Sequence, residues 1–125
     1  MIFGIGSDLV SIRRVRGLLE RHGDALAKRI LSPEEWPAYE AAHHRAHWLA
    51  KRFAAKEALA KALGTGLRAP VSLRNISVVH DGLGKPGFKL SPALAQFVAH
   101  QGIRHHHLSL SDEQEMACAM VILEQ

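Results

Sequence analysis

Residues 47–66 read HWLAKRFAAKEALAKALGTG, the strongest secondary-structure signal in the chain. Ala, Leu, Lys and Glu dominate this stretch, and all four residue types favour helix over other conformations. The Gly64-Thr65-Gly66 segment then supplies the glycine that commonly ends a helix. We therefore predict one long helix over residues 47–63, around which the rest of the chain must pack.

Shorter elements are predicted on both sides of the long helix from hydrophobic periodicity and from start and stop residues. On the N-terminal side they are a strand at 2–12 and helices at 13–22, 24–31 and 33–42. On the C-terminal side they are strands at 73–80 and 88–90 joined by a turn at 81–87, a helix at 91–102, and strands at 107–111 and 116–123. Strands at both ends with helices between them predict an α+β fold, in which an antiparallel sheet packs with the long central helix.

The size and composition of the chain are those of a folded protein. At 125 residues, 47% hydrophobic and 22% charged, it is expected to form a single domain over residues 1–125. Its apolar runs are far shorter than the roughly 20 residues that a membrane helix needs, so no membrane association is predicted. The opening residues lack the pattern of a signal peptide, and we expect a cytoplasmic protein. The only cysteine, Cys118, is predicted to lie in the core.

The chain is basic, with a net charge of +4 and a pI near 9.6. This charge favours partners that carry phosphate or acidic groups. It would also permit a nucleic-acid-binding module, but aromatic residues make up only 6% of the chain and no nucleic-acid-binding motif is present. We therefore predict no nucleic acid partner.

Asp8 is the first residue of chemical interest, because it interrupts an otherwise apolar strand. A buried carboxylate without a partner would cost several kcal/mol in desolvation. Asp8 therefore needs a cation, a set of hydrogen-bond donors, or exposure to solvent. From this residue alone, an exposed strand-end position that caps the next turn is an equally good interpretation.

Glu57 is the second such residue. At 100° per residue it flanks the apolar stripe of the long helix, about 40° from Phe53. In an isolated helix, Glu57 and Lys61 would form an ordinary surface pair at i,i+4 spacing. If Asp8 lies nearby, however, the two carboxylates suit Mg²⁺, which takes one or two protein oxygens and bridges to substrate phosphates. Lys56 and Lys61 could then neutralise the remaining phosphate oxygens.

Four motifs, in this order along the chain, resemble the holo-acyl-carrier-protein synthases, a family of phosphopantetheinyl transferases. They are Gly6-Ser7-Asp8-Leu9-Val10, then Arg52-Phe53-Ala54-Ala55-Lys56-Glu57-Ala58 with Lys61 and Gly64-Thr65-Gly66, then Gly84-Lys85-Pro86, and finally His107-Leu108-Ser109-Leu110-Ser111-Asp112. The resemblance extends over essentially the whole chain. It implies the 4′-phosphopantetheinyl transferase fold.

The resemblance also implies a set of site residues. Asp8 and Glu57 are expected to hold Mg²⁺ on the pyrophosphate of coenzyme A, with Lys61 close to the phosphates. Further residues expected near the coenzyme are Arg52, Lys56, Gly64, Lys85, Pro86, His107, Ser109 and Ser111. Family members of this length usually form homotrimers with each active site between two subunits, so a homotrimer is expected.

The reaction implied by the resemblance moves 4′-phosphopantetheine from coenzyme A to a serine of apo-acyl-carrier protein, for fatty acid biosynthesis. The serine hydroxyl attacks the β-phosphorus, and adenosine 3′,5′-bisphosphate leaves. Alignment, charge stabilisation and proton removal are then the tasks of the enzyme. Glu57, Lys61 and His107 are the expected catalytic residues, and the general base is either Glu57 or His107.

The carrier protein is expected to be acidic, and Arg14 and Arg21 share one face of the predicted helix 13–22. We predict that these two arginines bind the carrier, although a solvated basic face would have the same pattern. The chain also contains histidines that no role absorbs. His43, His44 and His47 have helical spacing but lack a fourth ligand, and His105 and His106 have no assigned role.

Overall fold

The computed structural model describes residues 1–125 and has an α+β architecture, as predicted. The N-terminal elements are β1 (Ile2–Ser11), α1 (Ile12–His22), α2 (Asp24–Ile30) and α3 (Trp36–Ala41). The long helix is α4 (Arg45–Leu63). The C-terminal elements are β2 (Ile76–His80), β3 (Pro86–Leu90), α5 (Pro92–His100), β4 (His105–Asp112) and β5 (Met116–Glu124). Short 3₁₀ turns at Pro33–Glu35 and Leu73–Asn75 complete the chain.

The strands form two antiparallel sheets, where the sequence predicted one. The larger sheet has the order β1-β5-β4, and β2 pairs with β3 in a separate hairpin. The first part of the strand predicted at 73–80 is instead the 3₁₀ turn Leu73–Asn75. The carbonyl of Leu73 accepts hydrogen bonds from the Ile76 N–H, which closes the turn, and from the Lys56 side chain.

Helix α4 is the centre of the molecule. It begins at Arg45, two residues before the predicted start, and ends where Gly64 adopts a left-handed conformation with φ of 77°. Its buried residues lie on nearly all sides of the helix, and most of them are alanines and leucines. A helix that is apolar around its circumference is a core helix rather than a surface helix. α4 is therefore enclosed by the other elements.

Two glycines of β1 allow this strand to lie directly against α4. A Cβ atom on Gly4 would be 2.0 Å from the carbonyl oxygen of Ala62, and one on Gly6 would be 2.0 Å from that of Ala58. Any side chain at either position would collide with the helix backbone. The glycines thus set the distance between the strand that carries Asp8 and the helix that carries Glu57.

The two sheets meet where His106 of β4 packs against Phe88 of β3, with ring centroids 5.8 Å apart. The Nδ1 atom of His106 is buried without a hydrogen-bond partner. Burial lowers the pKa of His106 below 6.5, and the neighbouring His107 and His105 lower it further. No helix of the structure combines the length and the apolar character that crossing a membrane would require.

Candidate active site

Asp8 and Lys61 meet where β1 crosses α4. The Lys61 Nζ atom donates to the Asp8 Oδ1 atom at 3.0 Å and to the backbone carbonyl of Ser7, also at 3.0 Å. Lys61 therefore pairs with Asp8 and does not form the i,i+4 surface pair with Glu57 that the sequence left open. Asp8 is compensated by a cation instead of being a freely exposed strand end.

Glu57 lies on the same side of the sheet as Asp8. Burial is the main cause that raises the pKa of the Glu57 carboxyl, and the nearby negative charge of Asp8 raises it further, whereas Lys61 lowers it. Both carboxylates line a cavity of about 260 Å³ that also includes Phe53. The two acids predicted from separate parts of the sequence thus converge on one largely apolar cavity.

The two arginines predicted to bind the carrier lie on α1, and both are exposed. Arg14 lines the cavity that contains Asp8 and Glu57. Arg21 lies in the last turn of the helix and does not line this cavity. The basic face of α1 therefore begins at the candidate site and extends away from it.

Within one chain, the structure does not place His107, Ser109 and Ser111 beside Asp8 and Glu57. Their contribution to a cleft between two subunits stays a prediction. Directly paired residues of a sheet point to the same side. Asp8 pairs with Ala119, which pairs with Leu110, so Leu110 is the β4 residue on the Asp8 side. The residues His107, Ser109 and Ser111 alternate with buried or half-buried leucines and point to the opposite side.

His107 instead has a partner on its own side of the sheet. Its Nε2 atom is 2.5 Å from the Glu124 Oε1 atom, and this hydrogen bond is the main cause that lowers the pKa of Glu124. His107 therefore does not share the Asp8 and Glu57 cavity within one chain. Cys118 also lies on this outer side, paired with Leu9, and is half-buried, so the prediction of a core cysteine is wrong.

Lys56 also differs from its predicted role at the coenzyme phosphates. It is fully buried, with 0% of its side chain exposed. Its ammonium group donates to the Glu35 carboxylate at 2.5 Å, to the carbonyl of Ile30 at 2.7 Å and to that of Leu73 at 3.0 Å. An ammonium group has three donors, and all three are used inside the protein. This corrects the prediction: Lys56 ties α4 to its neighbours and has no free donor for a phosphate.

Arg52 occupies an intermediate position between the interior and the surface. Its guanidinium carbon is 3.6 Å from the centroid of the Trp48 ring, and its Nε atom is 3.5 Å from Glu35 Oε2. Burial lowers the pKa of Arg52 to about 10, and the Glu35 charge partly offsets this effect. A guanidinium with this pKa stays charged at neutral pH, so Arg52 can serve as an anion-binding group.

The remaining predicted coenzyme residues lie away from the Asp8 and Glu57 cavity. Lys85 and Pro86 are at the β2–β3 hairpin, where the Asp81 carboxylate accepts hydrogen bonds from the backbone N–H groups of Leu83 and Lys85. Gly64 caps α4. None of these residues lines the cavity beside Asp8.

Glu35 is a buried charged residue that sequence reasoning missed as part of the site. The sequence signal was present, since Ser32-Pro33-Glu34-Glu35 is a helix start with a capping box. That local role conceals a tertiary one: beyond the Ser32 N–H, Glu35 also binds Lys56 and the N–H of Val78.

Comparison with known proteins agrees with this fold and identifies the family. The chain belongs to the 4′-phosphopantetheinyl transferase superfamily, whose family model matches residues 4–121. It is 58% identical over the full length of both chains to the holo-[acyl-carrier-protein] synthase of Nitrosospira multiformis. The family prediction made from the four motifs is therefore confirmed.

Solved structures give the same result. The crystal structure of holo-[acyl-carrier-protein] synthase from Neisseria meningitidis matches with a TM-score of 0.97 and 50% identity, covering 100% of both chains. The synthase from Bacillus anthracis, in complex with CoA (3′,5′-ADP), matches with a TM-score of 0.82 and 34% identity, covering 98% of this chain and 96% of that one. These matches confirm the predicted fold class.

Proposed function

We propose that this protein transfers 4′-phosphopantetheine from coenzyme A to a serine of apo-acyl-carrier protein, and that it depends on Mg²⁺ bound by Asp8 and Glu57. The transfer is the activity of the holo-[acyl-carrier-protein] synthases that the chain matches over its full length. The observation that carries the site assignment is the convergence of Asp8 and Glu57 on one cavity, with Lys61 bound to Asp8. Fatty acid biosynthesis in the cytoplasm is part of the same proposal.

The residues present fit Mg²⁺. No group of three or more His, Cys, Asp or Glu side chains is placed to hold a metal, so a metal at this cavity would have two protein carboxylates as ligands. Mg²⁺ commonly binds through one or two carboxylates and takes its other ligands from water and substrate phosphates. The raised pKa of Glu57 has the same implication, because two neighbouring carboxylates are more stable as anions when a cation lies between them. When bound, the metal supplies positive charge to the pyrophosphate of coenzyme A.

Lys61 supplies a second positive charge at the same place. Its ammonium group has one donor beyond the two used by Asp8 and the Ser7 carbonyl. This donor can bind a phosphate oxygen and stabilise the charge that develops during transfer. Asp8 keeps Lys61 in position, so the lysine does not have to be ordered when the substrate binds.

Glu57 is the favoured base for the serine hydroxyl of the carrier. The serine oxygen forms a bond to the β-phosphorus, the bond to the adenosine bisphosphate breaks, and the serine proton passes to Glu57, directly or through a water molecule. Glu57 lines the cavity together with Asp8, which places its carboxylate on the side where the pyrophosphate would be held. His107 points to the other side of the sheet, so within one chain it is not an alternative base.

A homotrimer is part of the proposal. The outer side of the large sheet carries exposed apolar residues that a second copy of the chain would cover, among them Ile5 and Leu9 with 63% and 66% of their surface exposed. Met116 and Met120 of β5 are exposed on the same side. Contiguous apolar patches of this kind mark interaction sites. Assembly through this side would bring His107 and Ser109 of one subunit towards a neighbour, where they could contribute to its coenzyme site.

The decisive experiment uses the purified protein with coenzyme A, Mg²⁺ and an apo-acyl-carrier protein, and measures the mass of the carrier. The carrier should gain one phosphopantetheine group, chelation should stop the reaction, and added Mg²⁺ should restore it. Asp8→Ala and Glu57→Ala should each remove nearly all activity while circular dichroism shows an unchanged fold. Near-parental rates in both variants, with Mg²⁺ still required, would show that the metal ligands lie elsewhere.

A further inference from the structure

Glu35 is a carboxylate almost completely removed from water, with 4% of its surface exposed. Two backbone N–H groups hold it from outside α4: Ser32 donates to Oε1 at 2.9 Å, and Val78 donates to Oε2 at 3.0 Å. The carboxylate is therefore fixed by the 3₁₀ turn Pro33–Glu35 and by β2, independently of the cations it meets. Each of its oxygens then faces one cation of α4, Lys56 at Oε1 and Arg52 at Oε2.

The two cations differ in how many of their hydrogen-bond donors are still free. Lys56 has used its three donors inside the protein. Arg52 has 9% of its side chain exposed, and its Nε atom is buried without a hydrogen-bond partner. No carboxylate or carbonyl of the protein accepts a hydrogen bond from this guanidinium, which carries five donors in a rigid plane. Arg52 is thus held in place without being satisfied.

The surroundings of Arg52 favour an anion. The ring of Trp48 covers one face of the guanidinium at 3.6 Å. Burial is the main cause that lowers the pKa of His80, and the positive charges of Arg52 and Lys51 lower it further, while Asp81 raises it. Lys51 is thus a second cation in the surroundings of Arg52. A planar guanidinium fixed by stacking suits a phosphate, to which it can donate two parallel hydrogen bonds.

We propose that Glu35 is a positioning residue for coenzyme binding: its buried carboxylate holds Arg52 against Trp48, so that the guanidinium is oriented for a phosphate of coenzyme A. The inference depends on the proposed transferase function and on the contact between Arg52 and coenzyme A that the family resemblance implies. Glu35 itself has no free oxygen for substrate, because donors occupy both of its oxygens. It acts only through Arg52.

The variant Glu35→Gln tests this inference, because an amide can present only one oxygen. Whichever way it is oriented, its NH₂ group must face the N–H of Ser32 or of Val78, and the charge opposite Arg52 is gone. The KM for coenzyme A should rise about tenfold, as expected if Arg52 loses one charged hydrogen bond to the phosphate. The KM for the carrier should be unchanged. Glu34→Gln is the matched control, since Glu34 is the adjacent acid, is 58% exposed and pairs only with Lys89 on the surface.

A double-mutant cycle with Arg52→Gln separates positioning from a general loss of stability. If Glu35 acts through Arg52, adding Glu35→Gln to Arg52→Gln should raise the KM for coenzyme A no further. Affinity for adenosine 3′,5′-bisphosphate, measured by calorimetry with chelator present, should show the same non-additive losses without any contribution from the metal. Independent effects of the two substitutions would overturn the inference.

Trp48 gives a second route if Glu35→Gln does not fold. Trp48→Leu removes the stacking surface and should raise the KM for coenzyme A, whereas Trp48→Phe keeps an aromatic face and should restore most of the affinity. Parental coenzyme affinity in a folded Glu35→Gln variant would overturn the inference, and Trp48→Leu takes its place in this test if Glu35→Gln does not fold. If Arg52→Gln binds coenzyme A weakly in the same experiment, the contact between Arg52 and the coenzyme still stands. Parental affinity in Arg52→Gln would overturn both that contact and the inference, while the assignment of Asp8 and Glu57 would be unaffected.

Discussion

Gly6→Ala is the substitution whose effect follows most directly from the structure. The new Cβ atom would lie 2.0 Å from the Ala58 carbonyl oxygen and 2.7 Å from the Ala62 backbone nitrogen. Ordinary contact begins at 3.4 Å, so β1 and α4 must separate by about 1.4 Å. Both obstacles are backbone atoms of a buried helix, which cannot rotate away as a side chain would. We expect a loss of about 3 kcal/mol in the free energy of unfolding, at the upper end for overpacking.

Gly6→Ala should also impair catalysis, because Asp8 is two residues further along the same strand. A displacement of about 1 Å in a catalytic group can cost about a hundredfold in rate. Urea denaturation and kcat, measured at a temperature where the variant is fully folded, test the two effects separately. Gly17→Ala is the control: no atom lies within 4 Å of its new Cβ, and alanine should stabilise helix α1 by about 0.5 to 1 kcal/mol. A Gly6→Ala variant with parental stability and rate would refute the close-packing argument.

Four further variants address other parts of the molecule. Burial lowers the pKa of His106, so the folded state favours the neutral ring, and its contribution to stability is fully present above pH 6.5 and falls as the pH is lowered below that value. In urea titrations between pH 5 and 7, His106→Leu should reduce the dependence of the free energy of unfolding on pH. The part due to His80, whose pKa burial also lowers, should remain. Replacing Arg14 and Arg21 by glutamate should raise the KM for the carrier much more than the KM for coenzyme A, and an unchanged carrier KM would mean that the basic face of α1 is only solvated. Lys61→Ala should instead lower kcat. Ile5→Asp should convert the proposed trimer to smaller species in sedimentation experiments, and a parent protein that is an active monomer at assay concentration would exclude the trimer.

The sequence singled out Asp8 and Glu57 as candidate site residues through two local patterns. Asp8 stood out as a charge in an apolar strand, and the helical angle placed Glu57 beside the apolar stripe. The structure brings both to one cavity. The predicted long helix and most of the flanking elements were also correct within a few residues, since their start and stop residues are unambiguous.

Lys56 was misassigned because α4 has no exposed polar face from which to judge direction. Alanine occupies many positions around this helix, so the sequence pattern does not show that the side of the helix that carries Lys56 is buried. Its partners, Glu35 and two backbone carbonyls, come from segments distant in the sequence, and only the tertiary structure brings them together.

The side to which His107 points could have been inferred from the sequence. Leu108 and Leu110 alternate with it, and a strand with one buried side places its leucines inward. The difficulty lay in β1, where Ile5 and Leu9 are apolar on one side and Val10 on the other, so that alternation did not show which side faces the helix. In β1 the glycines, not the large apolar residues, mark the inner side.

The alternation of β1 divides this one strand between two kinds of constraint. Gly6 and Asp8 face α4, where packing and chemistry limit the choice of residue, whereas Ile5 and Leu9 face outward, where only contacts with other molecules do. Tolerance to substitution should therefore vary with a period of two from Gly4 to Ser11, beyond the irregular pairing between Ile2 and Gly4. Changes at the inward positions would impair the enzyme at every concentration. Changes at the outward positions would weaken association between copies of the chain, so their effect on activity would be small in a concentrated sample and would increase on dilution.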